Sequence, residues 1–271
     1  MIPERVLRRL TQIPGARSLW RRFPLGSCAT RVRYGIFDRP HYAYGVYAAA
    51  DLGKRLGLNA ISVIEFGVAG GRGLLALERI AEIVGKSTGI QIKVAGFDSG
   101  QGMPAPLDYR DLPHAWDKGF YSMDAARLRS ALRPDTELVL GDLKDTLSSW
   151  VPPANVGFVA FDLDYYSSTK EALRLFEKNS ESRLPRVYCY FDDVMWPEHA
   201  CHNEYIGELC AIREFNEQWE HKKLCPFHMF RHTRIHQAPW NDQIYVLHDF
   251  KHPLYCRNIM PAGAEHNQLP L

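Results

Sequence analysis

The chain has 271 residues, of which 46% are hydrophobic and 24% charged, and its formal net charge is +2 at pH 7. That length and composition fit one large α/β domain with a well-buried core and exclude a disordered chain. The small net charge argues against a nucleic-acid partner, and no apolar run of about 18 residues is present to form a transmembrane segment.

In chain order, the first 25 residues are basic, with Arg5, Arg8, Arg9, Arg17, Arg21 and Arg22 against Glu4 alone. Val6, Leu7, Leu10 and Ile13 recur at helical spacing, so residues 1–42 read as a basic N-terminal helical extension ahead of a main domain at 43–271. Such a helix suits an anionic membrane surface or a protein partner. A solvated helix, or the arm of a homodimer, is its plainer use.

A helix is predicted over 44–56, where Ala48, Ala49, Ala50 and Leu52 favour it and Gly57 stops it. The β-branched run at 61–66 predicts a buried parallel strand ending at Gly67, and a helix follows over 74–84. The cycle then repeats. Strands are predicted at 92–97, 136–140, 156–161 and 186–191, closed by Asp98, by Gly141 and Asp142, by Asp162, and by Asp192 and Asp193. Helices are predicted at 124–132, 169–176 and 208–220, and a late strand at 243–247. The long segment 101–123 exceeds a plain connection and reads as a lid, with Tyr109, Trp116, Phe120 and Tyr121 in it.

Strands alternating with helices make a mostly parallel sheet with helices on both faces. In such a sheet the carboxyl ends of the strands form the ligand crevice. Glu65, Asp98, Asp142, Asp162, Asp192 and Asp193 all stand at predicted strand ends, so one acidic rim is expected.

The turn at 65–73 carries Gly67, Val68, Gly70, Gly71 and Gly73 between a strand and a helix. Its spacing is G-x-x-G-G-x-G, which departs from the dinucleotide pattern G-x-G-x-x-G, and no Lys-Ser or Lys-Thr follows to make a phosphate loop. Glu65, two residues ahead of the first glycine, would repel a pyrophosphate. It suits the ammonium and sulfonium charges of S-adenosylmethionine (SAM). Asp98 is placed to accept ribose hydroxyls. Asp142 has two readings, an acceptor for an adenine amino group or the N-cap of the segment after it.

These residues resemble a known group. The turn at 65–73 looks like the first motif of class I SAM-dependent methyltransferases, and the segment from Asp98 and Ser99 to Pro104 resembles the D-S-F-x-G-L-P stretch of the macrocin O-methyltransferase family. Asp162 to Thr169 resembles that family's D-G-D-x-Y-x-S-T, and Asp192 and Asp193, with Glu214 and Phe215 downstream, resemble its D-D-Y and A-V-x-E-F pair. The matches fall in the family's order and span about 61–215. The resemblance implies a Rossmann-like class I methyltransferase fold with a seven-stranded sheet, and O-methylation of a sugar or polyketide-like hydroxyl with magnesium assistance. It also implies metal carboxylates at Asp164, Asp192 and Asp193. The chain departs from the family at Arg72, Gly100 and Val194, which weakens the carry-over of substrate.

For a general base, His199, His202 and His248 are candidates beside Asp164. Two other uses of the sheet stay open, a dinucleotide-dependent oxidoreductase and a non-catalytic SAM-binding module. A zinc site on Cys201, His202 and Cys210 lacks the paired close spacing of structural zinc. Six widely spaced cysteines without a CxxC pair, and the lack of an apolar signal segment, lead to the expectation of reduced thiols in a cytoplasmic protein.

Overall fold

The structure, a computed structural model, describes residues 4–260. Three short helices, α1 (Glu4–Leu10), α2 (Ala16–Arg22) and α3 (Cys28–Arg33), precede the longer α4 (Pro40–Arg55). Strand and helix then alternate through β1 (Ala60–Phe66), α5 (Arg72–Thr88), β2 (Gln91–Asp98), α6 (Ala125–Ala131) and β3 (Glu137–Leu140). They continue through α7 (Leu143–Ser149), β4 (Val156–Phe161), α8 (Tyr166–Leu173), β5 (Arg183–Phe191) and α9 (Gly207–Gln218). A terminal pair of strands, β6 (Lys222–Pro226) and β7 (Ile244–Asp249), brackets the single-turn α10 (Phe230–Thr233).

The seven strands make one sheet in the order β3-β2-β1-β4-β5-β7-β6. β1 to β5 are parallel, and β7 runs antiparallel to both β5 and β6. The expected mostly parallel seven-stranded sheet with helices on both faces is therefore the observed one. β6 and α7 are additions to the predicted elements. Lys222 and Lys223 open β6 and Pro226 closes it, a composition that suits an edge strand and carries no alternation to read.

Side chains along a strand alternate between faces, and β1 uses this fully. Ile61 and Val63 join the core under α4 and α5, together with Tyr42, Val46, Leu74, Leu77, Phe158 and Tyr190. Ile64 and Phe66 join the opposite core under α8 and α9, with Phe161, Phe191, Leu173, Ile212 and Phe215. The rings of Phe161 and Phe191 stack at 4.4 Å between centroids, and fully burying each such side chain contributes about 2–3 kcal/mol. Cys28, Val32, Phe37 and Tyr42 belong to the first of these cores. The division expected after residue 42 thus falls inside α4, because Pro40 starts that helix four residues earlier than the alanine run predicts.

Backbone hydrogen bonds carry the ladder one step past the strands. Gly67 N–H donates to Phe97 O (2.9 Å), Gly141 to Asp98 O (3.0 Å), Asp162 to Phe66 O (3.0 Å) and Asp192 to Phe161 O (3.0 Å). The residues closing β1 to β5 therefore stand side by side on one rim. Strand order reverses between β1 and β4, where an open α/β sheet has its crevice. Among the described residues no helix is long and apolar enough to cross a membrane, and all six cysteines are free thiols.

Candidate functional site

Position 65 shares its face of β1 with Ile61 and Val63, so Glu65 points beneath α4 and the start of α5. It is 1% exposed. Tyr42 O–H donates to Glu65 Oε1 at 2.5 Å, whereas Glu65 Oε2 is buried without a partner. Burial pushes the carboxyl up to about 7, against the lowering effects of the Tyr42 hydrogen bond and the Arg39 charge. The glycines around it are sterically required. Gly67 has φ +84°, and a Cβ there would sit 1.7 Å from the Asp162 carbonyl oxygen; a Cβ on Gly73 would sit 1.7 Å from Glu65 Oε1. Val68 is buried, and Gly71 caps α5 in the left-handed region. Gly70 has open space above it.

Asp98, at the end of β2, accepts from Ala69 N–H (2.8 Å) through one oxygen and from Gly100 N–H (2.7 Å) through the other. It ties the glycine turn to the next loop, and each oxygen keeps a second lone pair for a ligand. Ser99 Oγ donates to Gly102 O at 3.0 Å. Asp142 is the N-cap of α7, accepting from Lys144 N–H at 2.9 Å.

The structure adds an acid to the motif reading of the metal carboxylates. The ligand oxygens that converge, all within 4.8 Å of one another, belong to Asp162, Asp192 and Asp193. Asp164 is not in that set, although its carboxyl lies in hydrogen-bond contact with Asp193. Asp164 has φ +57°, Tyr165 N–H donates to Leu163 O (2.5 Å), and the Asp164 N–H is turned onto Asp193 Oδ2 at 2.9 Å. Tyr190 O–H holds Asp192 Oδ1, and Gln243 Nε2 donates to the Asp192 carbonyl at 2.7 Å. Three aspartate oxygens that close would suit a hard divalent cation.

A further carboxylate escaped the sequence reading. Glu208, fully buried at the start of α9, accepts from Asp193 N–H at 3.1 Å, and its Oε1 has no partner. Burial, then neighbouring carboxylates, hold Asp162, Asp193 and Glu208 well above the usual carboxylate range. Arg39, just ahead of α4, is the cation facing Glu65, Asp162 and Asp192. So much buried negative charge beside one guanidinium is stable only if it shares protons or takes up cations. The signal for Arg39 and Tyr42 was the Arg-Pro-His-Tyr run at the head of α4; nothing local marks Glu208, because only the packing of α9 turns it inward.

The segment 101–123 is pinned across the rim. Met103 N–H donates to Phe120 O (2.8 Å) and Gly119 N–H to Met103 O (2.9 Å), closing its base. Fully buried Asp111 accepts from Ser167 N–H (2.8 Å), Ser167 Oγ (2.9 Å) and Leu107 N–H (2.9 Å), which fastens its middle to α8. Tyr121 lies close enough to the aspartates that burial and their charges push its phenol up to about 12.

The three histidines separate. His199 is exposed in the loop after β5. His202 bonds Trp196 O through Nε2 at 2.9 Å, and its Nδ1 is buried without a partner. That nitrogen and the Asp164 carbonyl oxygen both lie 3.7 Å from where a Cβ on Gly207 would stand. Burial holds the ring below its ordinary value, so it is neutral at pH 7. His248 pairs with Arg186, six residues and roughly 20 Å along β5 from Asp192. Because β7 is antiparallel, that position is at the amino edge of the sheet, and His248 does not join the rim.

The raised Glu65 has a measurable consequence. The folded chain holds its proton up to about 7 against an ordinary 4.5, so the contribution favours folding at low pH and is lost as pH rises through 7. Urea melts of ligand-free wild type and Glu65→Gln reveal it, since groups remote from Glu65 titrate alike in both. The stability of wild type relative to Glu65→Gln is expected to climb by roughly 1.4 kcal/mol per unit as pH falls from 7 towards 5. A difference that ignores pH would mean that Glu65 is not a buried acid of raised affinity for protons.

The sequence matches no family model and no curated relative. Solved structures do share the fold. The O-methyltransferase NovP is 15% identical, with a TM-score of 0.51 over 77% of this chain and 79% of that one. The calicheamicin methyltransferase CalS11 is 17% identical, with a TM-score of 0.50 over 92% of this chain and 94% of that one. At such identities the likeness is one of architecture, and this chain has the Rossmann-like fold of class I methyltransferases.

Proposed function

We propose that the chain is a SAM-dependent O-methyltransferase acting on a hydroxyl of a sugar or another small-molecule natural product, with Mg²⁺ assistance. The observation that carries this reading is the acidic rim, in which Glu65 with an unpartnered buried oxygen stands across the β1/β4 crevice from the converging oxygens of Asp162, Asp192 and Asp193. The fold shared with NovP and CalS11, both described as methyltransferases, supports it.

When bound, SAM supplies an electrophilic methyl group and a divalent cation supplies a Lewis acid for the acceptor oxygen. The protein's share is positioning and proton transfer. The open backbone at Gly70 would let a ligand approach the turn closely, Glu65 Oε2 would accept from an ammonium, and Asp98 would offer its remaining lone pairs to ribose hydroxyls. Asp162, Asp192 and Asp193 would hold the cation. The lid, fixed by Asp111, excludes water from the crevice and orients the acceptor. His202, neutral and with an unpartnered Nδ1, is the histidine suited to take the acceptor's proton.

Calorimetric titration with SAM is expected to give a dissociation constant below 100 µM and, in the same cell, no binding of NADH. Silence with SAM up to 1 mM removes the proposal; binding of NADH in its place returns the oxidoreductase.

A further inference from the structure

The N-terminal segment is built inside out relative to an ordinary packed helix. An amphipathic surface helix normally turns its apolar stripe to the core. Here α2 buries no residue, and the large apolar side chains of the segment face solvent: Val6, Leu10, Ile13, Leu19, Phe23 and Leu25 are all 44–72% exposed. Other residues do the anchoring. Thr11, 4% exposed, takes the His236 ring nitrogen at 2.9 Å. Trp20 packs on Tyr34 with centroids 5.6 Å apart and donates Nε1–H to Leu25 O at 2.8 Å. The segment is therefore fastened to the body by Thr11 and Trp20, which leaves the apolar side chains outward.

The same surface carries the arginines. Arg5, Arg8, Arg9, Arg17, Arg21 and Arg22 are exposed, and Glu4 is the one acid in the first 25 residues. Arg17 and Arg8 lie close enough to His236 that, after burial, their charges hold its imidazole below the ordinary value.

We propose that this segment is a peripheral membrane anchor that lays Leu19, Phe23 and Leu25 into the interface of an anionic bilayer while the arginines bind lipid phosphates. The combination of exposed apolar bulk and unopposed positive charge decides the occupant. A polyanion such as nucleic acid would satisfy the arginines and leave the leucines wet, and a second copy of the arm would set arginine against arginine. An anionic membrane surface satisfies both features at once.

Flotation of the full chain with vesicles tests this. Binding is expected to phosphatidylcholine vesicles containing 30% phosphatidylglycerol, and to be at least tenfold weaker to phosphatidylcholine alone. Each arginine near such a surface is worth about fivefold in affinity, so Arg21→Gln/Arg22→Gln is expected to lose about 25-fold. Leu19→Ser/Phe23→Ser is expected to abolish flotation. Every altered side chain is solvent-exposed, so both variants keep the wild-type melting temperature, which is measured alongside. Equal affinity for charged and neutral vesicles, or flotation unchanged in the leucine and phenylalanine variant, overturns the proposal. A dimer in light scattering that Leu19→Ser/Phe23→Ser converts to a monomer, without vesicle binding by wild type, overturns it in favour of a dimer arm.

Discussion

Asp192→Asn is expected to lower Mg²⁺-dependent methyl transfer by two to three orders of magnitude, leaving SAM affinity within a few-fold. Removing one preorganised electrostatic element from a site where charge develops commonly costs about 10²–10³ in turnover, and here the lost charge belongs to a group of oxygens within 4.8 Å of each other. The comparison that matters is between Asp162→Asn and Asp164→Asn. Geometry assigns the first to the cation, so it is expected to match Asp192→Asn. Asp164 touches Asp193 through its backbone N–H, a bond that Asn retains, and through its side chain, so a smaller loss of about tenfold is expected there. Turnover measured across a Mg²⁺ series, with an EDTA control, distinguishes the cases. If Asp164→Asn proves crippling and Asp162→Asn innocuous, the motif alignment was right and the observed convergence irrelevant. Full activity in EDTA would remove the metal altogether.

The second large effect is expected at the turn. Gly67→Ala places a Cβ in a left-handed conformation, 1.7 Å from the Asp162 carbonyl oxygen. Left-handed backbone costs a non-glycine residue about 1–2 kcal/mol, and the contact is with backbone on the next strand, which cannot swing aside. A total loss of roughly 3 kcal/mol or more follows, equivalent to about 2–4 °C of melting temperature per kcal/mol for a chain of this size. SAM binding should disappear with it, because β1 and β4 can no longer approach at the crevice. Gly70→Ala separates folding from ligand approach. Its Cβ meets nothing within 4 Å, so its melting temperature is expected to stay at the wild-type value while SAM affinity falls about tenfold as the methyl group occupies the open turn. A Gly70→Ala chain that binds SAM normally would place the cofactor elsewhere on the rim.

Much of the frame was legible locally. The β-branched and aromatic runs of β1, β2, β4 and β5 announce buried parallel strands, and an acidic residue at the carboxyl end of each run announces a rim. The turn from Glu65 to Gly73 was readable because a glycine pattern at a strand end has few other uses. Helix starts were less legible. α4 opens on Arg39-Pro40-His41-Tyr42 rather than on an alanine, so the two side chains that face Glu65 lay ahead of the expected helix.

Sequence by itself determined the elements, their alternation and the placing of acids at strand ends, since those depend on apolar periodicity and on residues adjacent in the chain. Only the tertiary structure decided which of those acids meet. Asp162 joins the converging oxygens of Asp192 and Asp193, Asp164 packs against Asp193, and Glu208 enters from α9. His248 leaves the site because β7 runs against its neighbours. Convergence depends on strand order, strand direction and the angle at which each turn leaves the sheet, and these are set by packing between elements that no local pattern records.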